Sequence, residues 1–464
     1  MTTARTATPS TARAINDRLA LDLLLDRGPL TASDLRTLTG LSRPTVADLL
    51  ERLQRSGLVA QTGESAALRR GPNARLYGLV ADRAHIAGID IRATGVSLVV
   101  ADLTGRTLGT ATIVAPVAGE ADGSGRPTAE AVSASSASST SSASSVSSAS
   151  TASVAERATG TAGAVGLAFA PDGTGTAGAA GGGVGDSGVG DGDLLVERTV
   201  DVLLATAAEA GAGELHTVAV GAPGLVDPVS GALNNSGKLP EWHSKLLAAL
   251  RARPGTEVIL ENEVNLAGVA EHRIGAARGR KDFALIWLGH GVGASVVLDG
   301  RLRRGASGGT GEIGFLPVPG TVGLPEATRC DGGFHSLVSS AAICELGARH
   351  GLHAETDGPE PGAEALVRLA VESGADDFLD ELAGRIAVGA SAICVVLDPG
   401  CVVLGGEIGQ AGGPELASRV ERHLARLSPL ATEVRAGTAG GGAVLAGAVL
   451  TAGDAVRREL FGGE

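Results

Sequence analysis

The sequence predicts an α/β protein in two parts, a small helical N-terminal domain followed by a larger doubly wound body. Three observations predict this. Residues 15–80 carry helical periodicity and then a two-strand hairpin pattern; strand-like runs that end in glycine, such as "VAVGAPGLVD" and "VVLGGEIG", recur after His85; and charge divides between the two parts. With 464 residues and 44% hydrophobic content, the chain is long enough to bury more than one core.

The two parts differ in their charge. Residues 1–85 contain 12 Arg and eight Asp or Glu, whereas the remainder contains 26 basic and 43 acidic residues. A basic domain on an acidic body indicates that only the N-terminal domain meets polyanions such as nucleic acid.

Neither a membrane segment nor a disulfide framework is predicted. The N-terminus has no apolar signal region, and no uncharged apolar run reaches the roughly 18 residues that span a bilayer. We therefore expect a cytoplasmic protein without membrane contact. The four cysteines include no CxxC pair, so neither a disulfide framework nor a zinc knuckle is indicated, and we expect buried thiols. We also expect no bound metal and no cofactor.

The N-terminal domain begins with two predicted helices. The first would bury an apolar stripe formed by Ile15, Leu19, Leu23 and Leu24. The second would start at the N-cap Thr31, with Asp34 as its capping-box partner and Leu35 and Leu38 facing inward.

A third helix follows the turn "TGLS". Ser42 is its predicted N-cap, and Pro44 lies in the first turn, where a missing N–H costs little. The apolar positions are Val46, Leu49, Leu50 and Leu53. Arg43, Thr45, Ala47, Asp48 and Arg52 then form the outer face, and a helix that presents Arg and short polar residues suits a DNA major groove.

A hairpin completes the domain. The strand that opens at "SGLV" pairs with "RLYGLV" at 75–80, and Arg69, Arg70 and Arg75 flank the turn between them as a wing that could enter a minor groove. The predicted DNA contacts are Ser42, Arg43, Thr45, Arg52, Arg69, Arg70 and Arg75. The alternative is a helical protein-interaction module with a solvated hairpin. This segment resembles the winged helix-turn-helix of MarR-like and ROK-type repressors.

Residues 119–193 interrupt the body. The stretch 133–153 consists of Ser, Ala and Thr with one Val, and a glycine-rich run closes the segment. Too little apolar bulk is present to offset the ordering entropy, so we expect a disordered insertion. We assign no chemistry to it.

The body resembles the ROK family of sugar kinases and sugar-responsive repressors. The segments "GAPGLVD", "ENEVNLAGVAEH", "GASGGTGEIGF" and "LDPGCVVLGGEIG" occur in the family's order, and the resemblance covers nearly the whole chain except the insertion. It implies a two-lobed, actin-like fold. We therefore expect a disordered tail at 1–13, a winged domain at 14–81, lobes at 83–262 and 263–440, and a helix at 441–464 returning to the first lobe.

The family's phosphate-binding residues are altered. Its kinases carry an Asp-x-Gly-Gly-Thr turn, but residues 90–94 read Asp-Ile-Arg-Ala-Thr. The second phosphate loop, normally Gly-Thr-Gly, is Gly-His-Gly at 289–291. Glu263 stands where the family has its catalytic Asp, and its extra methylene displaces the carboxylate by about 1 Å, which can cost on the order of a hundredfold in rate. These changes together predict loss of phosphoryl transfer.

The residues that the resemblance assigns to sugar and zinc are altered as well. Phe315 follows the "GEIG" that normally precedes a His, and only Cys330 remains of the zinc thiolates, so no zinc site is expected. The candidate ligand-binding residues are Asn235, Asn262, Glu263, Glu312 and His335. The alternative is a decayed pocket that is kept for its fold.

These patterns predict a dimeric or tetrameric transcription factor, most simply a repressor, that binds a double-stranded operator and responds to a sugar-like effector. One rival is a sugar kinase that carries a DNA-binding domain. The other is a regulator without a ligand, whose body serves only oligomerisation.

Overall fold

The protein folds as a small N-terminal domain, the head, on a body built from two large sheets. The computed structural model describes residues 9–64, 74–92, 95–114, 133–136, 189–234, 241–321, 324–326, 332–354 and 362–462. Among them the helices are α1 (Pro9–Arg27), α2 (Ala32–Thr39), α3 (Arg43–Arg55), α4 (Val189–Glu209), α5 (Glu241–Arg251), α6 (Glu263–Arg273), α7 (His335–Val338), α8 (Ser340–Arg349), α9 (Ala363–Ser373), α10 (Asp376–Leu397), α11 (Gly406–Leu427) and α12 (Ala443–Leu460). The strands are β1 (Leu30–Thr31), β2 (Val59–Glu64), β3 (Arg75–Leu79), β4 (His85–Arg92), β5 (Gly95–Asp102), β6 (Thr107–Val114), β7 (Ser133–Ser136), β8 (Thr217–Ala222), β9 (Leu225–Val226), β10 (Leu233–Asn234), β11 (Glu257–Asn262), β12 (Phe283–Leu288), β13 (Val292–Leu298), β14 (Arg301–Arg303), β15 (Cys401–Gly405) and β16 (Glu433–Ala436).

The head contains α1–α3 and a three-stranded sheet in the order β1-β3-β2. The predicted capping box is confirmed, because the Thr31 hydroxyl accepts from the Asp34 N–H while the Asp34 carboxylate accepts from the Thr31 N–H. The predicted pairing of the two hairpin strands is confirmed by the antiparallel register of β2 and β3. All four apolar positions predicted for α3 are buried: Val46, Leu49, Leu50 and Leu53.

The predicted apolar face of the first two helices is partly wrong. Leu24 is buried, but Ile15, Leu19 and Leu38 are 59%, 41% and 38% exposed. Ala20 and Leu21 take the inner positions of α1 instead. The buried residues of α1 therefore lie in its C-terminal half, where the remainder of the head covers them.

The two large sheets share one topology. The first has the order β11-β8-β4-β5-β6-β7 and the second β14-β13-β12-β15-β16. In each, an antiparallel meander continues through parallel strands: β4, β8 and β11 in the first, and β12, β15 and β16 in the second. Parallel strands place their carboxyl ends at one edge, which is where α/β proteins bind ligands.

Helices α6 and α12 each pack on the opposite half of the body. Helix α6 follows the last strand of the first sheet, yet Val264, Ala267 and Ala270 belong to one core with Phe283 and Val297 of the second sheet. Helix α12 follows the second sheet but packs on the first, where Gly88 of β4 lies against the Leu445 carbonyl and Ala448. The two helices cross where Gly447 meets Leu266.

The head and the body share a continuous apolar core. Leu24, Leu50 and Val59 of the head belong to the same buried cluster as Ile86 of β4 and Val456 of α12. The head is therefore packed against the first sheet and the last helix, rather than tethered to them by an extended linker.

Two predicted boundaries need correction. Helix α1 starts at Pro9, inside the segment 1–13 that we expected to be disordered, and residues 1–8 lie outside the described part. Within the expected insertion, β7 pairs with β6 and α4 starts at Val189, four residues before the predicted end. Residues 119–132 and 137–188 of that insertion lie outside the described part. No helix in the described ranges is long and apolar enough to cross a membrane.

The crossing of α6 and α12 predicts the effect of a minimal substitution. A Cβ atom at position 447 would collide with the Leu266 carbonyl oxygen, which is backbone and cannot rotate away. Gly447→Ala should therefore destabilise by roughly 1–3 kcal/mol, the usual cost of overpacking. Thermal unfolding should show a lower Tm.

Gly384→Ala is the matched control for this prediction. Its Cβ would make only ordinary contacts, with His423 atoms at 3.5 Å, so the substitution should leave the Tm unchanged or raise it. An unchanged Tm for Gly447→Ala would show that the two helices are not in close contact.

Candidate functional site

The third helix of the head presents its N-terminal turn to solvent. The Ser42 hydroxyl accepts from the Thr45 N–H at 3.3 Å and lies 2.7 Å from the Thr45 hydroxyl, which fixes the start of α3. Arg43 is exposed in that first turn. One exposed guanidinium and two short polar side chains thus lie at the start of α3, and their contact with DNA stays a prediction.

Arg52 is only partly exposed, whereas the sequence predicts it on the outer face of α3. Its guanidinium donates to Asp17 of α1 at 2.6 Å and also pairs with Asp48 on its own helix. The Asp17 hydrogen bond is the largest cause that raises the pKa of Arg52. Because Arg52 fixes α3 to α1, we remove it from the proposed DNA contacts.

The wing is only partly described. Arg75 is exposed at the start of β3, next to the turn between the strands. Arg69 and Arg70 lie outside the described residues. Arg75 is therefore the wing arginine whose position supports the predicted role.

In the body, two charged side chains from opposite halves meet at the end of β4. Arg92 ends β4, and its Nε donates to Asp90 at 2.8 Å while its Nη1 lies 3.6 Å from a carboxylate oxygen of Glu407. Glu407 lies in the first turn of α11, and its other oxygen is so close to Gly289 that a Cβ there would collide with it. An Arg from the first half and a Glu from the second thus meet between the two predicted phosphate loops.

Asp90 is buried beneath this pair. It is 2% exposed, and its Oδ1 has no hydrogen-bond partner among the residues that the structure describes. Burial raises the pKa of Asp90, and Arg92 opposes that rise. Together, Asp90, Glu263 and Glu407 lie around one guanidinium, so the described part of the site has more carboxyl groups than cations.

Glu263 is the first residue of α6 and belongs to the same electrostatic cluster. Burial, followed by the neighbouring Asp90 and Glu407 carboxylates, raises the pKa of Glu263 to about 8, although Arg92 opposes the rise. The side chain therefore carries a proton at neutral pH. A protonated carboxyl is a poor general base, but it can donate one hydrogen bond and accept another.

Asn262 holds the strand-to-helix turn before Glu263. Its Oδ1 accepts from the N–H groups of Val264 and Asn265 at 2.9 and 3.2 Å, and its Nδ2 donates to the Gly224 carbonyl at 3.0 Å. This caps α6 and ties it to the loop that precedes β9. Asn262 is therefore a structural cap as well as a predicted ligand contact.

The remaining predicted ligand residues lie on neighbouring loops. Glu312 is exposed, and its loop is held at Gly308, where a Cβ would collide with the Val226 carbonyl. His335 is half-buried at the start of α7, with its Cβ 3.7 Å from the position of a Gly314 Cβ. Asn235 lies outside the described residues. Asn262 contacts Gly224 just before β9, and Gly308 in the Glu312 loop contacts Val226 of β9. Both loops therefore lie next to β9.

No group of three His, Cys, Asp or Glu suited to a metal occurs in the described ranges. Cys330 lies outside them, and Cys394 and Cys401 are buried. Sequence reasoning did not single out Glu407 as a site residue. The sequence feature that could have identified it is the "GGE" at the end of a buried strand, because a residue there lies at the carboxyl edge of the sheet.

The raised pKa of Glu263 predicts a pH dependence of stability. Between about pH 4.5 and 8 the folded protein keeps a proton that the unfolded chain has released, so this group lowers stability as pH rises through that window. Glu263→Gln removes this pH-dependent loss of stability. Its Tm should exceed that of the wild type at pH 8.5 by about 2–4 °C, the shift that ~1 kcal/mol gives in a domain of 150–250 residues.

Glu459→Gln serves as the control, because Glu459 is exposed on α12. Its Tm should follow the wild type at every pH. If Glu263→Gln also followed the wild type from pH 5.5 to 8.5, Glu263 would be ionised at neutral pH.

Comparison with known proteins agrees with this arrangement. The model of the MarR family matches residues 15–71. The bifunctional enzyme NanE/NanK of Brucella melitensis is 33% identical over 159 residues, which are 34% of this chain and 28% of that enzyme. The transcriptional dual regulator NagC of Escherichia coli is 31% identical over 137 residues, 29% of this chain and 32% of NagC. Each alignment thus spans less than a third of the relative's length.

A solved structure resembles the whole chain. It is described as a ROK family transcriptional regulator, a homologue of the Escherichia coli MLC protein, and it superposes with a TM-score of 0.62 over 97% of both chains at 18% identity. At that identity the match establishes the fold, a winged helix-turn-helix joined to a two-lobed body. The model of the ROK family matches residues 195–455, more than half of the sequence, and the chain therefore belongs to the ROK family.

Proposed function

We propose that the protein is a DNA-binding transcriptional regulator whose kinase-derived body binds a sugar-like effector without phosphorylating it. The observation that carries this proposal is the combination of two features on one chain. Helix α3 presents a capped, Arg-bearing N-terminus, and the phosphate position of the body is filled by Arg92 and Glu407.

The head supports DNA binding through its exposed surface. Arg43 and Thr45 lie on the first turn of α3, Arg75 lies on the wing, and the apolar face of α3 is buried. NagC, one of the proteins similar to this chain, is a DNA-binding transcriptional dual regulator. We infer a dimer or tetramer that reads an operator with paired half-sites, and repression as the direction of regulation.

The cleft supports binding more than catalysis. Phosphates need backbone N–H groups that side chains leave open, and here a guanidinium and a carboxylate stand in that space. The base position holds Glu263, which is protonated at neutral pH. Asn262, Glu263, Glu312 and His335 nevertheless offer polar groups for a polyol, with Asn235 as a further candidate.

Selection from random duplex DNA tests the proposed reading helix. Arg43→Ala should weaken binding to the selected operator by about 10-fold or more, since one specific base contact is worth roughly 1–3 kcal/mol. Affinity for random duplex should fall much less. Both affinities are measured by fluorescence anisotropy at one fixed salt concentration.

Arg55→Ala is the matched control. It removes the same charge from the far end of α3, about 18 Å away at 1.5 Å per residue, where Arg55 pairs with Glu51. Equal losses for the two variants would refute the assignment of α3 as a reading helix. Failure to select any duplex at moderate salt would refute DNA binding itself.

A panel of hexoses, amino sugars and their phosphates tests the body. We expect at least one to raise the Tm, because a ligand at 100 times its Kd stabilises by about 2.7 kcal/mol. The shift should shrink in Glu312→Ala or His335→Ala. With ATP and Mg²⁺ added, no ADP should form above background.

The outcomes of that panel separate the rivals. ADP release with any sugar would identify a working kinase. No Tm shift with any compound would instead favour the regulator without a ligand, whose body serves oligomerisation only.

A further inference from the structure

The connection between head and body is a short, hydrogen-bonded segment. Strand β3 ends at Leu79 and β4 begins at His85, and we call residues 80–84 the hinge. Inside it, the Arg83 N–H donates to the Val80 carbonyl at 3.1 Å. The Leu103 N–H, just beyond β5, donates to the Ala81 carbonyl at 3.0 Å. The hinge is thereby fastened to the end of the second strand of the body.

Arg457 of α12 holds the other side of Leu103. Its side chain is buried, and its Nη1 donates to the Leu103 carbonyl at 3.1 Å. Leu103 is thus held at both polar groups, by the hinge at its N–H and by Arg457 at its C=O. Gly453, one turn earlier, leaves room for this guanidinium, because a Cβ there would lie 2.6 Å from Nη1.

The charge of Arg457 is compensated through a chain of polar contacts. Its Nη2 donates to Asp454 at 2.7 Å, and the other oxygen of Asp454 accepts from Arg273 at 3.0 Å. Arg273 is the last residue of α6, whose first residue is Glu263 in the cleft. A buried guanidinium is tolerated only when it is paired and hydrogen-bonded, so Arg457 depends on both partners.

We propose that Arg457 is a positioning residue for the DNA-binding head. It fixes the hinge through Leu103, and Asp454 and Arg273 make that fixation depend on where α6 lies. A shift of α6 at the cleft therefore alters the orientation of the head, not its folding. The role of Arg457 in positioning the head for DNA rests on the proposed function. The hydrogen bonds of Leu103 to the hinge and to Arg457 do not.

The geometry favours this role over simple fastening of a helix end. Val456, together with Phe461 directly after α12, already anchors this end of the helix in the apolar core without any charge. A buried arginine adds direction rather than burial, because its planar donors must meet the Leu103 carbonyl and the Asp454 carboxylate together.

Hydrogen exchange in the full chain tests the hinge without DNA. Arg457→Met keeps much of the side-chain length but removes all donors. The Arg83 and Leu103 amides should exchange at least 10-fold faster, whereas the Leu50 and Leu53 amides of α3 should keep their protection. Arg273→Gln should give a smaller increase at the same two amides. Arg458→Met, at the exposed neighbouring position, should change nothing.

Two results would overturn the proposal. Unchanged exchange at Arg83 and Leu103 in Arg457→Met would show that the arginine does not hold the hinge. Loss of protection in α3 to the same extent would show a role in folding only. If Arg457→Met fails to accumulate, Asp454→Asn, at a half-exposed position, replaces it with the same expected pattern.

A DNA measurement separates positioning from general stability. With a selected operator, Arg457→Met should lower the affinity ratio of the paired site to a single half-site by about 10-fold, and Arg457→Lys should restore part of it. An unchanged ratio would contradict positioning. Failure of the wild type to select any duplex would refute the proposed function, and the exchange rates would still decide the hinge.

Discussion

The close packing of α12 is the constraint on which the rest of the molecule depends. Its N-terminal half lies on the first sheet, where Gly88 and Gly221 leave backbone in contact with Leu445 and Val444. Its C-terminal half contributes Val456 to the core shared with the head, and Phe461, directly after the helix, belongs to the same core. Larger residues on those strands would push the helix away, and the head would lose its support. The last element of the chain therefore joins parts that are far apart in sequence.

The repeated topology explains why the cleft is built as it is. Each sheet ends in parallel strands, so Arg92 and Asn262 from one half and Gly289 and Gly405 from the other lie at carboxyl edges. The helices that follow start at Glu263 and Gly406. Because α6 and α12 each pack with the opposite half, a change at this edge involves both sheets and the helix beneath the head.

Much of this architecture follows from local patterns in the sequence. The capping box at Thr31, the buried face of α3 and the β2–β3 hairpin all depend on residues within a few positions of one another. Period and capping act locally, so the sequence reveals them. The family resemblance predicts an altered phosphate turn at Arg92 and a substituted base position at Glu263, and both stay predictions.

The remaining features depend on contacts that spacing does not encode. Arg52 looks like a DNA contact on a helical wheel, but its partner Asp17 is 35 residues away. Arg457 lies in a helix end that reads as a charged surface, and its acceptor at Leu103 is 354 residues away. Ile15 fits the apolar period of α1, but nothing in the described head covers it. Periodicity identifies a face of a helix and leaves open what packs on it.

Arg92 also limits which substitutions the cleft tolerates. Among the described residues it is the cation beside three carboxyl groups, so glycine there would leave Asp90 buried without its ion-pair partner and Glu407 without a nearby guanidinium. That variant would be less stable than the wild type. Replacement of Arg92 therefore requires a second change, at one of the carboxyl groups, if this edge of the cleft is to stay folded.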